Sequence, residues 1–215
     1  MSGFAVIDLE TTGLNARTES IIEVGVVLLD SAGNLEGRWT TLINPRRAIR
    51  AQFIHGISDD DVTSSPTFAQ ILPELVTHLE FRAIVAHNAV FDVGFLNEEF
   101  KRVGFPMSIP DSATVCTMEL SKMYLPAGRH SLDAAAQRAG ISVHNHHRAL
   151  ADAETAAELL RVYLDAEKAG THYENPVHTR SGGELKPASW VDAQIRAAQL
   201  GWPIALNFES RQLPQ

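Results

Sequence analysis

Phe4-Ala5-Val6-Ile7-Asp8-Leu9-Glu10-Thr11-Thr12-Gly13 constrains what this chain can become more than any other stretch. Phe4 to Ile7 is an uninterrupted apolar run of strand length with two β-branched residues, and Gly13 punctuates its end. Such a run reads as a central strand covered on both faces, where a charge is expensive. Asp8 and Glu10 nevertheless stand at its end. Residues two apart on a strand share a face, so two carboxylates meet there roughly 6–7 Å apart along the strand. Like charges that close repel unless one takes a proton or a cation neutralises both. Hard-oxygen pairs of this kind suit Mg²⁺ or Mn²⁺ better than Zn²⁺. Alone, the pair reads equally well as an exposed strand end with two solvated acids, so the rest of the chain has to decide.

The surrounding pattern is that of an α/β protein. Ile21 to Leu29 (IIEVGVVLL) reads as a second buried strand, Ser31 to Asn34 as a turn, and Arg38 to Ile43 as the return strand of a hairpin ended by Pro45. Residues 46–64 are loop-like. Their acidic run Asp59-Asp60-Asp61 reads as solvated, helix-capping acids rather than a metal site. Arg46, Arg47 and Arg50, the densest basic patch, read first as solvated loop and second as phosphate steering. Helical spacing predicts a helix over about 68–79, then a fourth strand at Ala83 to Ala86 and a helix from about Val90 to Val103 stopped by Gly104. Thr114 to Met118 reads as a short strand or a helix start. Helices are expected near 117–124, 131–139 and 148–168.

Composition shifts after Gly170, which sets an expected boundary between a main domain, 1–170, and an extension, 171–215. Thr171 to Ser189 reads as a linker or surface-hugging segment, Trp190 to Leu200 as a short helix, and Ile204 to Phe208 as strand-like. Two tryptophans in this tail call for burial, against the main domain first and a partner second.

Net charge is −8 over 215 residues, which argues against a broad basic grip on nucleic acid but leaves room for an acidic site filled by cations. No apolar stretch approaches a membrane span, so no membrane partner is expected. The first residues lack the basic n-region of a signal peptide, and a lone cysteine, Cys116, rules out an internal disulfide framework. Cytoplasmic location is the expectation.

Three further acids and bases carry chemistry only in combination. Asp92 falls in the first turn of the helix after the fourth strand, and Asp152 early in the long helix; each alone is explained by the helix dipole. His147 closes the run His144-Val-Asn-His146-His147, whose crowded histidines would give zinc poor tetrahedral geometry. Together, Asp8-Leu9-Glu10, His87-Asn88-Ala89-Val90-Phe91-Asp92 and His147-Arg148-Ala149-Leu150-Ala151-Asp152 resemble the three motifs of the DEDDh 3′–5′ exonucleases: D-x-E, an Asp after an H-N-x-x-F-like stretch, and H-x(4)-D. The resemblance covers roughly residues 3–168 and is greatest to the epsilon-type proofreading branch found with bacterial replicative DNA polymerases.

That resemblance implies a ribonuclease H-like α/β fold with a mixed five-stranded sheet, its second strand antiparallel, flanked by helices. It implies that the four carboxylates converge and hold two divalent cations, Mg²⁺ or Mn²⁺. On that basis Asp8 is assigned to both ions, Glu10 and Asp152 to one, Asp92 to the other, and His147 to the role of general base on a mobile loop. The Thr11 backbone, His55 and Asn88 are implied contacts to the terminal nucleotide. The expected substrate is a single-stranded or frayed 3′ end of nucleic acid, DNA before RNA, cut to nucleoside 5′-monophosphates. A DNA polymerase subunit is a possible partner. The rival expectations are an exoribonuclease or oligonucleotide-trimming enzyme of the same family and, from another class, a non-catalytic module that tethers a polymerase.

Overall fold

The computed structural model describes residues 2–143, 147–171, 173 and 176–204. Strands β1 (Phe4–Thr11), β2 (Ile21–Leu29) and β3 (Leu35–Leu42) open the chain, followed by the one-turn helices α1 (Gln52–His55) and α2 (Asp59–Val62). Then come α3 (Phe68–Leu79), β4 (Ala83–Ala86), α4 (Ala89–Arg102), a 3₁₀ turn at Asp111–Ala113 and β5 (Thr114–Cys116). Helices α5 (Thr117–Tyr124), α6 (Leu132–Arg138) and α7 (Ala149–Lys168) complete the main body. A small ribbon of β6 (Val177–His178) and β7 (Glu184–Leu185) leads to α8 (Trp190–Ala198).

The five-stranded sheet has the order β3-β2-β1-β4-β5. β2 runs antiparallel to β1 and β3, whereas β1, β4 and β5 are parallel. This is the mixed sheet with an antiparallel second strand that the resemblance implied. Central β1 alternates sides as a strand must. Ala5, Ile7 and Leu9 pack with Leu72, Leu75, Phe95 and Phe100 of α3 and α4. Phe4 and Val6 pack with Val27, Leu29 and the α7 residues Ala153, Leu160 and Tyr163. Asp8 and Glu10 continue the second set, so they face the side covered by α7.

Several boundaries differ from the sequence reading for local reasons. β1 continues past the acids to Thr11, because the ladder with β2 extends through Glu10 before a register shift. β3 starts earlier, at Leu35, because the Asp30 carboxylate accepts from the N–H groups of Ala32 and Asn34 and closes the turn within four residues. The expected loop 46–64 contains two helical turns too short for periodicity to register. The second is nucleated by a capping box in which Ser58 and Asp61 satisfy each other's backbone, so the acidic run does cap a helix. Residues 177–185 form the ribbon rather than a plain linker, turned by Gly182 at φ +85°.

Trp190 is buried in the cluster below β4 and β5, 5.6 Å from the Tyr124 ring, and the Ser2 carbonyl accepts from the Gln194 side chain. Trp202 meets Phe100 edge-on at 6.4 Å. Both tail tryptophans therefore pack on the same body. The strand expected at 204–208 falls almost wholly outside the described residues, and Ile204 is exposed. Among the described residues no helix is long and apolar enough to cross a membrane.

Candidate active site

Three elements bring carboxylates to one end of the sheet. β1 supplies Asp8 and Glu10. α4 begins directly after β4 and carries Asp92, buried, in its first turn. α7 carries Asp152, also buried, in its own first turn. Asp8 feels all of them: burial first, then the charges of Asp92, Asp152, Glu10 and Glu23, hold its carboxyl well above the usual range. Glu10 is pushed up to about 7 by burial and by Asp152 and Glu23, against a smaller opposing pull from Arg148. Burial raises Asp92 to about 8, although its own N–H and that of Leu9 bind the carboxylate and work the other way. Acids that disfavour one another's charge in a sheltered pocket are suited to a cation.

His147 stands with this group. One ligand-capable atom each of Glu10, His147 and Asp152 lies within 4.8 Å of the others, a spacing that could hold a metal ion. The His147 N–H donates to Asp152 Oδ2 at 3.3 Å, and His147 itself adopts φ +64°. Asn88, the N-cap of α4, sits at φ +109°. Positive φ is uncommon for non-glycine residues and costs of order 1–3 kcal/mol, so both turns are held by their surroundings. The loop placement expected for His147 is found, with its backbone tied to Asp152. His144 and His146 lie outside the described residues.

Of the three expected nucleotide contacts, His55 is the most informative. It is buried beside a cavity of about 430 Å³ lined by Leu42, His55, Gly56, Ile57, Asp61 and Arg148. The Ile57 N–H donates to His55 Nδ1 at 3.0 Å, so in the neutral ring the proton sits on Nε2. Burial lowers the His55 pKa, which favours that neutral form, and Nε2 finds no hydrogen-bond partner among the described residues. Thr11 ends β1, its hydroxyl donating to the Gly13 carbonyl at 2.7 Å. Asn88 is the N-cap of the helix that carries Asp92 and makes no side-chain cap bond there. In the basic patch, Arg47 donates to the Thr18 carbonyl and faces Glu19 at 3.4 Å, an ordinary loop tie.

The sequence reading passed over Glu23, Gly25 and Arg148. Glu23 lies directly across from Glu10 on β2, only 3% exposed, and Arg148 forks onto its carboxylate with the closest approach at 2.6 Å. The signal was present: a lone acid inside the apolar run IIEVGVVLL raises the same question as Asp8 and demands a buried partner.

Comparison with known proteins follows the same span. The family model described as Exonuclease, RNase_T, matches residues 5–160. The chain is 38% identical over 160 residues to DNA polymerase III PolC-type of Oceanobacillus iheyensis, covering 73% of this chain and 11% of that protein. It is 31% identical over 183 residues to the Bacillus subtilis protein of the same description, covering 83% and 13%. It thus spans only about an eighth or less of the length of these curated relatives. Among solved structures, E. coli exonuclease I in complex with a dT13 oligonucleotide aligns at TM-score 0.66 and 18% identity, over 79% of this chain and 42% of that one. A 3′-exonuclease described for 3′-end recognition of a histone mRNA stem-loop aligns at 0.63 and 16%, over 86% and 91%. At these identities the two structures speak for the fold.

Proposed function

Because the chain belongs to the exonuclease family whose model spans residues 5–160, we propose that it is a two-metal-ion 3′–5′ exonuclease that removes terminal nucleotides from DNA as nucleoside 5′-monophosphates. The observation that carries this reading is that Asp8, Glu10 and Asp92 share a sheltered pocket where burial first, and neighbouring carboxylates second, press them toward protonation, with Asp152 and His147 in the same cluster. A protein without chemistry has no use for four carboxylates that destabilise one another, which weighs against a purely tethering module.

Asp8, Glu10, Asp92 and Asp152 would hold two divalent cations, Mg²⁺ or Mn²⁺; their hard oxygens and surplus negative charge fit such ions. When bound, such a pair supplies neutralisation of the scissile phosphate and a more acidic attacking water. His147, exposed at the edge of the carboxylates, would be the general base toward the attacking water. His55 donates its Nε2 hydrogen bond to an oxygen of the terminal nucleotide, an acceptor that the described residues do not supply. The Thr11 backbone and Asn88 complete the nucleotide contacts. Residues 1–170 act as the exonuclease unit, and 171–215 as an extension seated on it through α8.

PolC-type DNA polymerases III among the relatives support DNA as the substrate and work alongside a DNA polymerase, and a single-stranded or frayed 3′ end is the form of substrate proposed. The deciding assay follows 3′-labelled single-stranded DNA, a mismatched duplex and RNA of equal length, with and without EDTA. Cation-dependent release of deoxynucleoside monophosphates, faster than release from RNA, is the expected result. Preference for RNA would move the chain to the exoribonucleases, and no release from any substrate would end the proposal.

A further inference from the structure

We infer that Glu23 is a positioning residue: with Gly25 it makes β2 the seat on which the first turn of α7 rests, and so sets where Asp152 and His147 meet Asp8 and Glu10. The inference rests on the exonuclease reading only for its kinetic consequence. Its structural content is independent.

Helix α7 is not capped by the side chain of its own N-cap residue, Arg148, although a helix start leaves backbone N–H groups in need of acceptors. The acceptor comes from another element. Glu23 Oε2 accepts from the Ala149 N–H at 2.9 Å, and a carboxylate is the favoured charge at that end of a helix. The same carboxylate takes the Arg148 guanidinium through Nε at 3.1 and 3.2 Å and Nη2 at 2.6 Å. Both oxygens of a buried acid are thereby directed at α7 and the residue before it.

Two residues along β2, Gly25 leaves room for the same turn. A Cβ there would lie 2.3 Å from the Ala149 carbonyl carbon and 2.4 Å from the Leu150 nitrogen. The register makes the placement functional, because Gly25 pairs with Asp8 and Glu23 with Glu10. Each residue that holds α7 is therefore the cross-strand neighbour of a carboxylate that α7 must meet. Asp152 sits one turn into the helix, its N–H on the Arg148 carbonyl, so a displaced first turn carries it away from Asp8. His147 precedes Arg148 and moves with it.

The test compares full-length wild type with Glu23→Gln, Arg148→Met and the double variant. Glu23→Gln keeps an oxygen for the Ala149 N–H but sets an amide NH₂ against the guanidinium, so it loosens the seat with little change of volume. Without cations, hydrogen exchange at residues 149–152 is expected to quicken about tenfold or more in each single variant, while amides of β1 and β4 keep their protection. With Mg²⁺ and single-stranded DNA, kcat should fall about 10–100-fold, the scale for groups that orient a site's ligands. KM should stay within about twofold, since the loss lies in the chemical step. The double variant should be no worse than the poorer single one, as for two ends of one contact. Unchanged exchange at 149–152, protection lost equally across the sheet, a wild-type kcat, or additive losses in the double variant would each overturn the inference. If wild type itself releases no monophosphate, the exonuclease reading fails, and the exchange measurement alone decides the role of Glu23.

Discussion

Withholding divalent cations and raising the pH should loosen this protein, by an amount the carboxylate cluster sets. A group whose pKa is raised on folding keeps its proton in the folded state after the unfolded chain has lost it. Stability then falls with pH by 1.36 kcal/mol per unit between the two pKa values. For Glu10 that window runs from its ordinary 4.5 to about 7, and for Asp92 from 3.8 to about 8. Histidines work against this at lower pH. Burial lowers His87 to about 4 and also lowers His55, so both gain stability as the unfolded chain deprotonates toward its ordinary 6.5. Above pH 6.5 that opposing effect is spent, and pH 6.5 to 8 isolates the acids. Across it Asp92 contributes about 2 kcal/mol of destabilisation and Glu10 under about 1 kcal/mol, with Asp8 acting in the same direction. A chain of this size shifts its melting temperature by about 2–4 °C per kcal/mol, so about 5–10 °C should be lost. Scanning calorimetry in EDTA at pH 6.5, 7, 7.5 and 8, repeated with Mg²⁺ or Mn²⁺, makes the measurement. Cations bind the ionised acids, so their stabilisation should grow with pH. A melting temperature that is flat or rises in EDTA, or a cation-induced shift equal at both ends of the range, would refute the reasoning.

Asp8→Asn should abolish cation-dependent nucleotide release yet raise the melting temperature of the cation-free protein at pH 8, since relieving one pH unit of raised pKa returns 1.36 kcal/mol; a less stable variant contradicts the mutual repulsion. His147→Gln should lower kcat about 10²–10⁴-fold, the span of general-base loss. A wild-type pH–rate profile in that variant removes His147 from the role. Gly25→Ala should cost about 1–3 kcal/mol in urea unfolding, the usual range for overpacking, with activity falling further than stability because the displaced backbone bears Asp152. Trp190→Ala should cost about 3–5 kcal/mol, the range for emptying a buried aromatic site, and a change under 1 kcal/mol would mean that α8 is only loosely held.

What could be read in advance follows how far along the chain each decision reaches. The helix at Phe68–Leu79 and the strand at Ala83–Ala86 were legible to the residue, because their apolar spacing and end signals are local. The turns at Gln52–His55 and Asp59–Val62 were not, because four residues hold no period and only the hydrogen bonds of Ser58 and Asp61 reveal the second. Glu23 was passed over because its two partners, Arg148 and the Ala149 N–H, lie about 125 residues away.

The strand period alone put Asp8 and Glu10 on one face, and the helix starts alone put Asp92 and Asp152 in first turns, since both follow from backbone geometry over a few residues. Motif spacing added the family, which the match over residues 5–160 bears out. Only the tertiary structure decided that these acids press on one another, that the Ile57 N–H donates to Nδ1 of a buried His55, and that Glu23 and Gly25 of β2 meet the first turn of α7. The physical reason is that strand register and helix docking are fixed by contacts between segments far apart in the chain. Propensity and periodicity describe each segment singly, so they leave unspecified which residue of one will face which residue of another.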